Sequence, residues 1–169
     1  IKNIKLKMNN KYNELLFILE TLTRCEKIGY AEDVKCYLYM KESEFNKIEL
    51  KDIEELKEVL KQVKEIYKKE NKYDEQYKDI LSAIAFILLG VNSVIKLNSK
   101  QQELDIDIKE KEREIINFLD INFFEWRNNK ILKSSFIKKE LPYVWYANKM
   151  YRYGYIDLFN KLYKLIYRK

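Results

Sequence analysis

Histidine is absent from the 169 residues. That absence excludes Ser–His–Asp and Cys–His nucleophiles, imidazole general bases and imidazole metal ligands. Cysteine occurs twice, at Cys25 and Cys36. Two cysteines without histidine make neither a standard zinc site nor a disulfide framework, and they read as buried thiols in a reducing, cytoplasmic setting. Glycine is confined to the isolated positions Gly29, Gly90 and Gly154, so neither common glycine-rich phosphate loop is present. No charged leader followed by an apolar stretch and a small-residue cleavage site is visible. The sequence calls for no cofactor.

Proline occurs once, at Pro142, but scarcity of proline and glycine is weak support for helix here. Lys, Ile, Asn and Tyr supply 76 of the 169 residues, whereas Ala, Gly, Pro and Arg supply 4, 3, 1 and 5. The first set has AT-rich codons and the second GC-rich ones, so an AT-rich genome accounts for much of the bias. The same discount applies to the formal net charge of +6. Apolar residues at 47% and charged residues at 36% exclude a disordered or collagen-like chain. The length suits a single domain over 1–169, able to bury about two-thirds of its unfolded surface. Residues 1–8 are expected to be a tail, with Met8 a candidate natural start.

Base composition does not place residues at helical spacing, so periodicity carries the fold. Leu15, Ile18, Leu19, Leu22 and Cys25 share one side of a helix, with Asn9 or Asn10 as its cap and Gly29 as its end. Ala31 to Phe45 reads as helix, although Val34 to Met40 also alternates as a strand would, which leaves open a small strand pair near residues 34–50. From Asp52 to Lys69, Ile53, Leu56, Leu60, Val63 and Tyr67 form an a/d seam widened by Val59 and Ile66. Asp52 with Glu55 has the spacing of a capping box.

Asn71 to Asp74 is a turn. Ile80 to Ile95 is a run of 16 residues without a charge. As helix it reaches about 24 Å, short of the ~30 Å hydrocarbon core, so it reads as the central helix of a bundle and not as a membrane span. Asn98 to Gln102 reads as a linker. Glu103 to Leu119 reads as a helix with Ile108, Ile115 and Leu119 on one face, and Asn128–Asn129 as a polar turn after the aromatic stretch Ile121 to Trp126. The fold class is all-α, a single-domain bundle of about six to seven helices.

Charge is uneven along the chain. Residues 130–169 hold 10 Lys/Arg against 2 Asp/Glu and 10 of the 24 aromatics, whereas residues 1–129 hold 23 against 25. Codon bias acts on the whole chain and does not explain this. Pro142 suits the first turn of a helix and Gly154 its end. On that helix Tyr143, Tyr146, Ala147 and Met150 share one face, and Trp145, Lys149 and Arg152 share another, with Asn148 beside them. After Gly154, Asp157, Lys161, Lys164 and Arg168 fall within about 60° of arc on a last helix. Phe159, Leu162 and Ile166 lie opposite and are expected in the core. The expected site is one basic, aromatic surface made of Trp145, Lys149, Arg152, Lys161, Lys164 and Arg168.

Oxygen-only metal chemistry is the enzymatic route left open, because Mg²⁺ needs only oxygen ligands. The spacing of Glu54, Glu55 and Glu58 resembles the first acidic motif of the all-α nucleotide pyrophosphohydrolases. That family's second motif is a Glu and an Asp separated by two residues on the following helix, whereas Glu75 and Asp79 are separated by three. The resemblance covers half a motif and does not assign the family. The function expected is that of a non-catalytic accessory or inhibitory protein that binds a larger protein through the C-terminal surface. The alternatives are RNA or DNA binding by the same surface and a carboxylate-metal-dependent nucleotide hydrolase.

Overall fold

The computed structural model describes residues 12–24, 50–99 and 107–167. Among these, 84% are helical and none lies in a strand, which makes the fold all-α. The expected tail at 1–8, the segment 31–45 with its strand alternative, both cysteines, Gly29 and Arg168 fall outside the described residues. The chain divides into two compact units, residues 1–72 and 73–169.

In the first unit α1 (Asn13–Arg24) packs on α2 (Leu50–Lys69). The a/d seam of α2 is buried as its spacing requires, with Ile53, Leu56, Leu60, Val63 and Tyr67 joined by Val59. Leu16 and Leu19 meet it from α1, and the Tyr67 hydroxyl donates to the Leu19 carbonyl at 3.0 Å. Ile18, expected on the buried side, is 55% exposed because α1 turns Leu16, Leu19 and Glu20 inward instead. The capping box is corrected too: α2 begins at Leu50, so Asp52 lies inside its first turn and not before it. Buried surroundings and the carboxylates of Asp52 and Glu55 push the Tyr12 phenol up to about 12. The helix ends in a Schellman turn. Asn71, at φ +54°, donates to Lys68 and Lys72 donates to Tyr67, which satisfies the last carbonyls.

The second unit starts at Asp74, whose carboxylate accepts from the Tyr77 N–H and caps α3 (Glu75–Ala85). α3 runs without a break into a π-helical segment, Phe86–Ser93, and then α4 (Val94–Ser99), so Asn98 is helix and not linker. The Ser93 hydroxyl donates to the Leu88 carbonyl at 2.9 Å inside the widened turns. Gly90 makes this segment's neighbours possible. A Cβ there would lie 2.9 Å from the Phe86 ring and 3.0 Å from Leu119 of α5 (Ile108–Asn122). The helix Tyr77–Ser99 is 23 residues, long and apolar enough to cross a membrane, with 61% of its apolar stretch buried inside the protein. Length alone therefore does not separate a span from a core helix here.

After α5 a single 3-10 turn, Phe124–Arg127, inserts Trp126 into the core. Its ring stacks on Phe86 at 4.8 Å, and Phe86 meets Tyr151 edge-on. The indole N–H donates to Asp120, which also takes a two-pronged contact from Arg127. Three helices follow: α6 (Ser135–Glu140), α7 (Pro142–Arg152) and α8 (Ile156–Tyr167). α6 was not visible in the periodicity, although Ser134 caps it by accepting from Ile137.

Asn129, read from sequence as part of a polar turn, is fully buried. Its amide donates to the Asp79 carbonyl and the Ser82 hydroxyl, both at 2.7 Å, and its oxygen accepts from Leu132 N–H. Asn129→Ala strands these groups without water, so urea denaturation should show a loss of about 2–3 kcal/mol. Asn128→Ala, at an exposed neighbour, should stay within about 0.5 kcal/mol.

Candidate partner-binding surface

The C-terminal surface is set by how α7 and α8 meet. Pro142 opens α7, and Gly154 ends it at φ +77°, a conformation that L side chains rarely adopt. Gly154 donates to Tyr151 and Tyr155 donates to Met150, a second Schellman turn that folds α8 back against α7. The buried face of α7 is Val144, Ala147, Asn148 and Tyr151, so of Tyr143, Tyr146, Ala147 and Met150 only Ala147 is buried. Asn148 is the reason: its amide donates to the Trp126 carbonyl at 2.9 Å, which rotates that side of the helix inward.

That rotation leaves Tyr143, Tyr146 and Met150 facing Leu162, Tyr163 and Ile166 across an open groove of about 220 Å³, floored by Phe159. The core expectation for α8 is corrected accordingly. Phe159 is buried, but Leu162 is 41% and Ile166 63% exposed. α8 seals against the unit along Phe159 and Asn160, and among the described residues nothing covers its second apolar stripe. Leu158, Leu165 and Tyr155 extend the exposed stripe, with Leu165 at 78%.

The expected basic residues do not form one surface. Trp145 is half-buried, with the Lys138 and Lys149 ammoniums 5.3 and 5.5 Å from its ring centre and Tyr146 edge-on. Arg152 donates to the Asn128 side chain at 3.2 Å. Lys161 and Lys164 lie on the far flank of α8, where they line a separate polar pocket with Asn98, Glu112, Asp157 and Asn160. The apolar band is not legible in the sequence, where Phe159, Leu162 and Ile166 are expected in the core and Tyr155, Leu158 and Leu165 carry no assignment.

Four of the five carboxylates of the metal alternative pair with lysines. Glu54 pairs with Lys57 at 2.8 Å, Glu55 with Lys51 at 3.5 Å and Glu58 with Lys61 at 3.9 Å along α2. In the other unit Glu75 pairs with Lys130 at 3.0 Å, and Asp79 lines the same shallow cleft. No group of three or more Cys, Asp or Glu placed to hold a metal ion occurs among the described residues. Neither the models of known protein families, nor the curated proteins, nor the solved structures contain a match to this chain.

Glu112 was also missed, hidden in a charged stretch of α5. It is buried, and its Oε1 accepts from Asn98 of α4 at 2.5 Å and from Asn160 of α8 at 2.8 Å. Burial raises its pKa. The two amide contacts and Lys109 act against that rise, and Asp157 adds to it. A carboxyl raised above its unfolded value favours the fold when protonated, and that contribution is lost as pH rises through the folded pKa. Glu112→Gln keeps the accepting oxygen and removes the charge. The variant should therefore be more stable than wild type in urea at neutral pH, with the gap closing below the ordinary glutamate pKa of 4.5.

Proposed function

We propose that this protein is a non-catalytic binding protein, accessory or inhibitory in role, that docks an acidic amphipathic segment of a larger protein on the α7–α8 surface. The observation that carries this reading is the exposed apolar band. Leu158, Leu162, Leu165 and Ile166 stand in water beside a groove walled by three tyrosines and a methionine. Exposed apolar patches of this kind mark interaction sites, and tyrosine and methionine are common anchors at them. Charge complementarity supplies the partner's character. Lys149 lies one turn after Tyr146 on α7 and Lys161 one turn before Leu165 on α8, and the forty C-terminal residues hold 10 basic against 2 acidic groups. An amphipathic helix with acidic edges fits such a groove.

Nucleic acid would use the lysines but leave the leucines unexplained. It would also meet a Trp145 ring already attended by Lys138 and Lys149.

Leu165→Asp and Ile166→Asp should leave the helical circular dichroism unchanged and lower affinity at least about tenfold for a synthetic amphipathic helix with leucine on one face and glutamate on the other. A peptide with the same apolar face and lysine edges should not bind. The same substitutions should release any protein captured from the native host. Binding of labelled oligonucleotides that weakens steeply between about 50 and 200 mM salt, unaffected by Leu165→Asp, would instead establish the nucleic-acid reading. Equal binding of both peptides would remove the acidic partner.

A further inference from the structure

On the Asn160 side of α8, away from the apolar band, a polar pocket of about 370 Å³ opens between α4, α5 and α8. Its volume lies at the small end of the range for ligand pockets. Half of its six charged groups are already engaged. Asp107 caps α5 by accepting from the Lys109 and Glu110 N–H groups, and Asp157 pairs with Lys109 at 3.4 Å. Three groups are left over. Glu112 spends Oε1 on Asn98 and Asn160, while its Oε2, on the same buried side chain, accepts no hydrogen bond from any described residue. Lys161 and Lys164 line the same pocket, and neither forms an ion pair among the described residues.

A buried carboxyl with one oxygen fixed by two amides is held in a set orientation, with its second oxygen left to a further donor. An anion placed here would bring its charge toward Glu112 and Asp157. A cation alone would meet the two lysine ammoniums. A molecule with opposite charges at its two ends satisfies all three remaining groups, and such contacts gain strength where water is partly excluded.

We propose that this pocket binds a small zwitterion, with its ammonium group on Glu112 Oε2 and its carboxylate or phosphate held by Lys161 and Lys164. The three helices that supply these side chains are brought together by the Asn98–Glu112–Asn160 contacts, so the site is built into the fold of the second unit. It shares Lys161 with the edge of the partner-docking surface, whereas Glu112 and Lys164 belong to the pocket.

The test uses the full chain with ω-amino carboxylates of increasing length (β-alanine, γ-aminobutyrate, ε-aminocaproate), phosphoethanolamine, the dication putrescine and the dianion succinate. Calorimetry and thermal unfolding are the readouts. At least one zwitterion is expected to bind at millimolar concentration and raise the melting temperature, because a ligand bound only by the folded state stabilises it. The better of the carboxylate series and phosphoethanolamine identifies the anionic group. Putrescine and succinate should fail. Glu112→Gln should abolish binding while unfolding cooperatively, and the double variant Lys161→Ala with Lys164→Ala should weaken it at least about tenfold. Should the Gln variant not fold, the lysine variant decides alone. Binding of succinate or putrescine equal to that of the best zwitterion, undiminished binding by the lysine variant, or no binding by any probe would overturn the proposal.

Discussion

Burial of Trp126 organises the second unit. The residue sits on a one-turn 3-10 helix that has too few backbone hydrogen bonds to hold itself, so its neighbours must hold it. Phe86 supplies a parallel ring at 4.8 Å, Asp120 takes the indole N–H at 3.0 Å, and Asn148 donates to the backbone carbonyl at 2.9 Å. These contacts come from the central helix, from α5 and from α7. A fully buried tryptophan is among the largest apolar contributions a small unit can have, and loss of its polar partners leaves buried groups unpaired. The packing is therefore constrained in three directions at one residue. The π-helical turns serve the same end. They carry Phe86, and Gly90 lets that ring and Leu119 close over a position where any side chain would collide.

The exposed surface follows from the buried one. With Asn148 tied to Trp126, α7 has one allowed rotation, and its tyrosines at 143 and 146 are directed toward α8 and solvent. The Schellman turn at Gly154 then fixes where α8 lies. α8 has two apolar stripes, and a helix at the edge of a bundle has a neighbour for only one. Phe159 takes the inner place, and the stripe through Leu158, Leu162 and Leu165 is left over.

What the sequence discloses divides along physical lines. The seam of α2, the turn at Asn71, the opening of α7 at Pro142 and its end at Gly154 are legible, because periodicity and backbone preference act locally. The rotation of α7 is not. Tyr143, Tyr146 and Met150 make as good an apolar face as Val144, Ala147 and Tyr151, and only the long-range bond from Asn148 chooses between them. Asn129 and Glu112 were hidden for the same reason. In a chain rich in Asn, Lys and Glu a polar residue looks solvated, and its burial depends on partners 14 to 50 positions away. Trp145 and the basic residues were legible as a group but not as a geometry, since the two flanks of α8 lead to different neighbours.

Energetics favour a partner that engages the band and its basic flanks together. Covering an exposed Leu or Ile completely gains about 1.5–3 kcal/mol, and the four in the band are already partly covered, so they supply on the order of 5 kcal/mol. Association costs about 4–15 kcal/mol in lost freedom, so the apolar side chains alone match only the low end of that cost. The lysines alone fare no better, because exposed ion pairs contribute little once salt screens them. Their combined effect is larger than either suggests. A partner segment that seals the groove removes water from around the flanking charges and strengthens their attraction, while those charges speed its approach and set its direction. Neither a purely apolar surface nor a bare polyanion makes both contributions. An acidic, amphipathic protein segment does, and that is why the apolar band weighs more than the net charge in the proposed function.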